Sequence, residues 1–171
     1  MTRVPLPDEH AADVEPLVER IVAARGSLLE LYHVLLHAPP VAAGWLDYLT
    51  SIRSAGRLPG SIRELVIMRV AQLNRAPYEA HHHAPIARAE GLSAQQLEGL
   101  GNWQEEPCFD ARQRAALAYT DAMTSAVQVP DDTFGAVRAE FDAREIVELT
   151  ATIAAYNMVS RFLEALEIRP T

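Results

Sequence analysis

Ser61-Ile62-Arg63-Glu64-Leu65-Val66-Ile67-Met68-Arg69-Val70-Ala71-Gln72-Leu73-Asn74 is the stretch that decides the fold. Read as a helix over 62–74, it is apolar on almost every side, through Ile62, Leu65, Val66, Ile67, Met68, Val70, Ala71 and Leu73. A helix that is hydrophobic all round belongs at the centre of a fold or in an interface. Ser61 with Glu64 three residues later has the form of a capping box. Gly56 and Pro59-Gly60 supply the break before it. If one domain cannot cover such a helix, subunit contacts must, so the pattern predicts a homo-oligomer.

Outward from this helix the apolar spacing stays at three to four and never alternates by two over a useful length. Upstream, the pattern predicts a helix over 13–25, with Pro16 in its first turn and Gly26 past its end. Ser27-Leu28-Leu29-Glu30 has the capping-box form and opens a second helix, which Pro39-Pro40 stops. A third covers about 41–55 and carries Trp45, Leu46, Leu49 and Ile52. Downstream, Pro77 opens a helix that ends at Gly91. Ser93 caps a short helix to about residue 100, and 101–109 is a loop. Asp110 caps a helix to about 126, Pro130 starts one to about 141, and Asp142-Ala143-Arg144-Glu145 caps the longest, to about 167. No repeat and no linker divides the chain. The expectation is an all-α helical bundle forming a single domain over 1–171.

Composition narrows the function. The chain has 171 residues, 49% of them apolar and 22% charged, ordinary values for a globular protein. A net charge of −8 argues against general nucleic-acid binding, because phosphates need a basic surface. No apolar run reaches the roughly 18 residues that span a bilayer, and the N-terminus lacks the apolar core of a secretory signal. The expectation is a cytoplasmic protein with no membrane partner. The one cysteine, Cys108, excludes an intramolecular disulfide and a dithiol motif, and its acidic neighbours Glu105, Glu106 and Asp110 work against a reactive thiolate.

The chemistry concentrates in Tyr78-Glu79-Ala80-His81-His82-His83, at the start of an otherwise apolar helix. Glu79 and His83 are four apart and share a helix face. A carboxylate beside a group that titrates near neutrality can move a proton, and the pair can equally be a satisfied polar contact. His82 shares a face with Tyr78 and Ile86, while His81 points elsewhere, to the surface. Glu64 has two readings. Its place after Ser61 suits a cap, and its apolar face with Ile67, Met68 and Ala71 suits a partly desolvated functional acid. Pro85 predicts a kink, or a free carbonyl at His81. On the last helix Thr150, Asn157 and Arg161 form a polar stripe. Arg161 can hold a substrate carboxylate, with Asn157 beside it, or make an ion pair at helix spacing. HEXXH is absent and no third ligand is placed, so neither metal nor other cofactor is expected.

The run from Glu64 to Asn74, then Tyr78-Glu79, His83-Ala84-Pro85-Ile86-Ala87 and Gly91-Leu92-Ser93, resembles the carboxymuconolactone decarboxylase family, which includes the alkylhydroperoxidase D-like proteins. The motif core covers about 61–100, and Tyr156 to Phe162 resembles the family's terminal helix. The resemblance implies an all-helical fold that assembles as trimers or hexamers. In peroxidase members a Glu, a CxxC pair and a His one turn later form a proton relay. That pattern places the Glu on Glu64 and the His on His83. The two Cys positions fall on Ala76 and Glu79, so both redox thiols are missing. The decarboxylase branch acts on a carboxylated lactone of aromatic catabolism. On that footing His83 is the proton donor, Glu79 orients it, Glu64 relays the proton and Tyr78 hydrogen-bonds the small-molecule substrate, with His82, Asn157 and Arg161 as further substrate contacts. Two alternatives stay open: an alkylhydroperoxidase or peroxiredoxin-like antioxidant protein, which Cys108 alone would have to support, and a non-catalytic helical oligomer that binds a small ligand.

Overall fold

Proline or glycine stands at several of the helix boundaries in the computed structural model, which describes residues 2–170. Nine α-helices and one short 3₁₀ turn account for the regular structure among these residues, and none of them is a strand. They group into two compact units, residues up to 56 with 163 onward, and residues 57–162.

In the first unit α1 (Glu15–Arg25) ends where Gly26 takes φ 86° and returns its N–H to the Val22 carbonyl at 2.8 Å. A left-handed C-terminal residue is easiest for glycine, which has no Cβ to clash. The second helix, α2, spans Glu30–Leu35, with Leu29 preceding it and no capping bond from a side chain. The capping box expected at Ser27 therefore does not form. Pro39 and Pro40 do not merely stop α2. They are the first residues of α3 (Pro39–Ser54), where a missing N–H costs nothing. Leu17 and Ile21 of α1, Leu31 and Tyr32 of α2, and Trp45, Leu46 and Leu49 of α3 are buried.

The second unit is built on α4 (Gly60–Leu73), which packs against α5 (Pro77–Ala89) and α7 (Ala111–Ser125). Leu65, Val66, Ile67, Val70 and Ala71 of α4 are fully enclosed by the chain's own residues. Burying each such side chain contributes about 1.5–3 kcal/mol for the larger ones. The all-round apolar helix is thus a core helix, and its pattern gives no reason for subunit contacts. Leu65 joins Ala87, Leu92, Leu100, Trp103, Phe109 and Leu117 in one cluster, with Cys108 packed on it. Two charged groups are buried among the apolar residues of α4, Glu64 and Arg69, and the second is held within the core. Its guanidinium makes a two-pronged pair with Asp121 at 2.6 and 2.8 Å and also donates to Gln72 and the Leu100 carbonyl.

Local signals account for the rest. Ser93 with Gln96 and Asp110 with Gln113 form full capping boxes at α6 (Ala94–Gly99) and α7. Asp142 and Glu145 exchange the same two bonds, 3.1 and 2.8 Å, at the start of α9 (Ala143–Ala165). Pro130 precedes α8 (Asp131–Glu140). The helix α5 continues through Pro85, whose ring is exposed to solvent.

Val127, between α7 and α8, has φ 65° and is 81% exposed. Positive φ is unfavourable for a β-branched residue, because its Cβ substituents crowd the backbone. Asparagine tolerates this conformation. Val127→Asn is expected to raise stability by about 0.5–1 kcal/mol, read as an increase of ~1–4 °C in the thermal midpoint. An unchanged or lower midpoint would count against strain at this turn.

Candidate active site

Glu64 lies one turn into α4, and its side chain is completely inaccessible to solvent. A carboxylate in that position needs partners, and it has two. Its Oε2 lies 2.7 Å from Nδ1 of His83 on α5, and its Oε1 accepts from Nε of Arg63 at 3.0 Å. The Arg63 guanidinium reaches on to Glu90 at 2.9 Å. The cap reading of Glu64 is therefore corrected. The residue preceding α4 is Pro59, no side chain caps the helix, and Ser61 sits inside the first turn. The acid is drawn away to His83, nineteen residues on.

Burial pushes the Glu64 carboxyl up, but the hydrogen bonds and positive charges of His83 and Arg63 outweigh it and hold the group below the usual carboxylate range. Glu64 is thus ionised at neutral pH. A depressed folded-state pKa contributes stability that is present above the unfolded pKa of about 4.3 and is lost as pH falls through the folded value. Acid unfolding of the wild type should include this loss, and Glu64→Gln should flatten the acid limb of a stability-versus-pH curve. Identical limbs in the two proteins would contradict the assignment.

An ionised Glu64 accepts only, so the proton on His83 sits on Nδ1. Among the described residues Nε2 has no hydrogen-bond partner, which leaves it available to a ligand. His83 is buried, with 7% of its surface exposed. Tyr156 of α9 stands edge-on to the imidazole, with centroids 5.0 Å apart at 89°.

The carboxylate that orients the imidazole is Glu64, not Glu79 as its spacing suggested. Glu79, also buried, accepts a short hydrogen bond from the Ser160 hydroxyl of α9. It remains one turn from His83 on the same helix. Tyr78 is buried and its ring rests on His82, with centroids 4.3 Å apart. His81 is exposed, as expected. Asn157 is occupied within the protein. Its amide donates to Thr124 Oγ1 and the Ile153 carbonyl and accepts from Asn74 Nδ2 and Arg161 Nη1, at 2.7–3.0 Å. Arg161 is exposed and spends its Nη1 on Asn157. Asn157 thus ties α9 to Thr124 of α7 and to Asn74 at the end of α4, while Arg161 bonds back onto its own helix.

Ser160, Tyr156 and Arg69 were not anticipated as functional positions. The only sequence signal for Ser160 is its place one turn after Tyr156 on the last helix. Among the described residues no three His, Cys, Asp or Glu side chains converge as metal ligands. No helix among them is long and apolar enough to cross a membrane. A cavity of about 430 Å³ lies between α7 and α8, and one of about 580 Å³ lies beside Thr2–Leu6, neither lined by His83.

A profile of the carboxymuconolactone decarboxylase family matches residues 39–122, which include Glu64, Glu79 and His83. The uncharacterised protein YdfG of Bacillus subtilis is 30% identical over 101 residues, 58% of this chain and 69% of that one. The chain belongs to the carboxymuconolactone decarboxylase family. The uncharacterised protein YnjA of Escherichia coli is 29% identical over 126 residues, 73% of this chain. The chain spans about two thirds of these relatives, 66% of YnjA and 69% of YdfG. A solved structure from Agrobacterium tumefaciens, of unknown function and described as a candidate AhpD antioxidant-defence protein, superposes with a TM-score of 0.75 at 27% identity, covering 80% of this chain and 95% of that one. Where the resemblance places the two peroxidase thiols, this chain has Ala76 and Glu79.

Proposed function

We propose that the chain is a cofactor-free acid–base enzyme of the carboxymuconolactone decarboxylase type, acting on a small carboxylated or lactone substrate. The bond between the substrate carbon and its carboxylate breaks, CO₂ leaves, and the electron pair stays on carbon as an enolate-like anion. The Nε2–H of protonated His83 then donates its proton to that carbon. Glu64 stays ionised throughout, keeps the other ring proton on Nδ1 and stabilises the charged ring. The ring recovers its Nε2 proton from water. Glu79, tethered by Ser160, supplies a second acid one turn away, and Tyr78 a hydrogen bond to substrate.

The observation that carries this reading is the 2.7 Å bond between Glu64 and His83 in a buried setting that leaves Nε2 unoccupied. Disulfide-based peroxide reduction needs an attacking and a resolving thiol, and neither relay position holds one. The similarity to an AhpD-type structure nevertheless makes peroxide the right control substrate. The test measures CO₂ release from a carboxylated muconolactone, alongside peroxide consumption, in wild type and Cys108→Ser. The proposal expects CO₂ release that survives Cys108→Ser. Lactone binding without CO₂ release would favour a ligand-binding protein, and peroxide consumption abolished by Cys108→Ser would favour an antioxidant one.

A further inference from the structure

Gly60 opens α4 at a place where the backbone does not require glycine, since its φ is not in the left-handed region. What its missing side chain provides is room. A Cβ at residue 60 would fall inside the carboxyl group of Glu90. That carboxyl reaches across from the end of α5 and accepts from the Arg63 guanidinium at 2.9 Å. It lies against the first residue of α4, where the helix dipole favours an anion.

Arg63 is the link from there to the buried site. Adjacent residues on a helix point about 100° apart, so Arg63 meets its neighbour Glu64 only by folding its chain back, Nε to Oε1 at 3.0 Å. Holding so long a side chain in one rotamer costs conformational freedom, and a second carboxylate at its outer end offsets that loss. Exposure falls along the row, from 40% of the Glu90 side chain to 13% of Arg63 and none of Glu64.

One guanidinium therefore serves two carboxylates. With Glu90 in place its attraction is divided between them, and Glu64 keeps the electron density with which it accepts from the Nδ1–H of His83. Without the Glu90 charge the whole attraction of Arg63 falls on Glu64, and the bond from His83 weakens. We infer that Glu90, admitted by the bare α-carbon of Gly60, is a positioning residue of this site: through Arg63 it keeps Glu64 a strong acceptor for His83. Its effect on rate rests on the acid–base reading of His83. Its effect on the bond between Glu64 and His83 does not.

The test follows the Nδ1–H proton of His83, which resonates further downfield the stronger its bond to Glu64. Glu90→Gln should move it upfield. Gly60→Ala, which displaces the flexible Glu90 carboxyl without altering it, should move it upfield by the same amount. The double variant should move it no further, because both changes remove one contact. Alanine is the better helix former, so Gly60→Ala should melt within a few degrees of wild type, and lost positioning in a stable fold separates this role from a structural one. Glu98→Gln removes an equal charge from α6, outside the row, and should leave the proton where it is. CO₂ release from a carboxylated muconolactone should fall about tenfold in each single variant of the row, and no further in the double one. A wild type that releases no CO₂ would remove the acid–base reading, and the proton resonance would still decide the inference. An unmoved proton in Glu90→Gln or Gly60→Ala, shifts that add in the double variant, or an equal shift in Glu98→Gln would each overturn it.

Discussion

His83→Gln is expected to lower CO₂ release from a carboxylated muconolactone by about 100- to 10,000-fold, the usual consequence of removing a positioned proton donor. Glutamine can still donate to the Glu64 carboxylate from its amide, so the buried acid keeps a partner and the fold should survive. What glutamine cannot do is carry a proton. The loss should therefore fall on kcat, with the thermal midpoint within a few degrees of wild type. His81→Gln alters an exposed ring that no part of the proposed chemistry uses, and its rate should be unchanged. Equal rates for His83→Gln and wild type would remove His83 from the reaction. Equal losses in both variants would point to a general effect of the histidine cluster.

The largest expected effect on stability is at Arg69. Its side chain is 9% exposed and that of Asp121 25%, so the pair is mostly shielded from water. Arg69→Met fills the apolar volume but leaves Asp121 with the Trp103 indole N–H as its remaining bond and removes the donors to Gln72 and the Leu100 carbonyl. Stranding a buried charge costs about 3–5 kcal/mol, and the partial exposure of Asp121 reduces this to roughly 2–4 kcal/mol. For a chain of this size that is a fall of ~5–15 °C in the thermal midpoint. Pairing Arg69→Met with Asp121→Leu removes the stranded charge and should recover part of the loss. If the single variant melts like wild type, the network does not hold α4, α7 and the turn at Leu100 together.

These two residues show which features of the chain are readable from its order and which are not. Helix boundaries at Pro16, Gly26, Pro77 and Asp110 follow from rules that act over three or four residues, and they hold. The caps at Ser93, Asp110 and Asp142 hold for the same reason, and each is reciprocated by the residue three positions on. The one expected at Ser61 fails because its acid has a stronger partner nineteen residues away, in His83. The pairing of Glu79 with His83 rested on the spacing i, i+4. That spacing places both on one face but does not choose between them and the partners that other helices bring, Glu64 and Ser160. Arg69 shows the same limit in the core. An apolar pattern on all sides says that a helix is buried, while the acid that makes one arginine tolerable there lies on α7. The resemblance to the family placed Glu64 and His83 together, which spacing alone did not.

The most direct test of the central claim needs no substrate. Ionised Glu64 should fix the proton of the neutral His83 ring on Nδ1 and leave Nε2 bare for a ligand. The ¹⁵N shifts of the imidazole nitrogens report which one carries the proton, and His83→Gln identifies the signals among the six histidines. In the neutral ring that remains once Nε2 has given up its proton, the expected result is the Nδ1–H form in wild type, giving way to the other form or a mixture in Glu64→Gln. A wild-type ring protonated on Nε2, or a tautomer indifferent to Glu64→Gln, would contradict the claim.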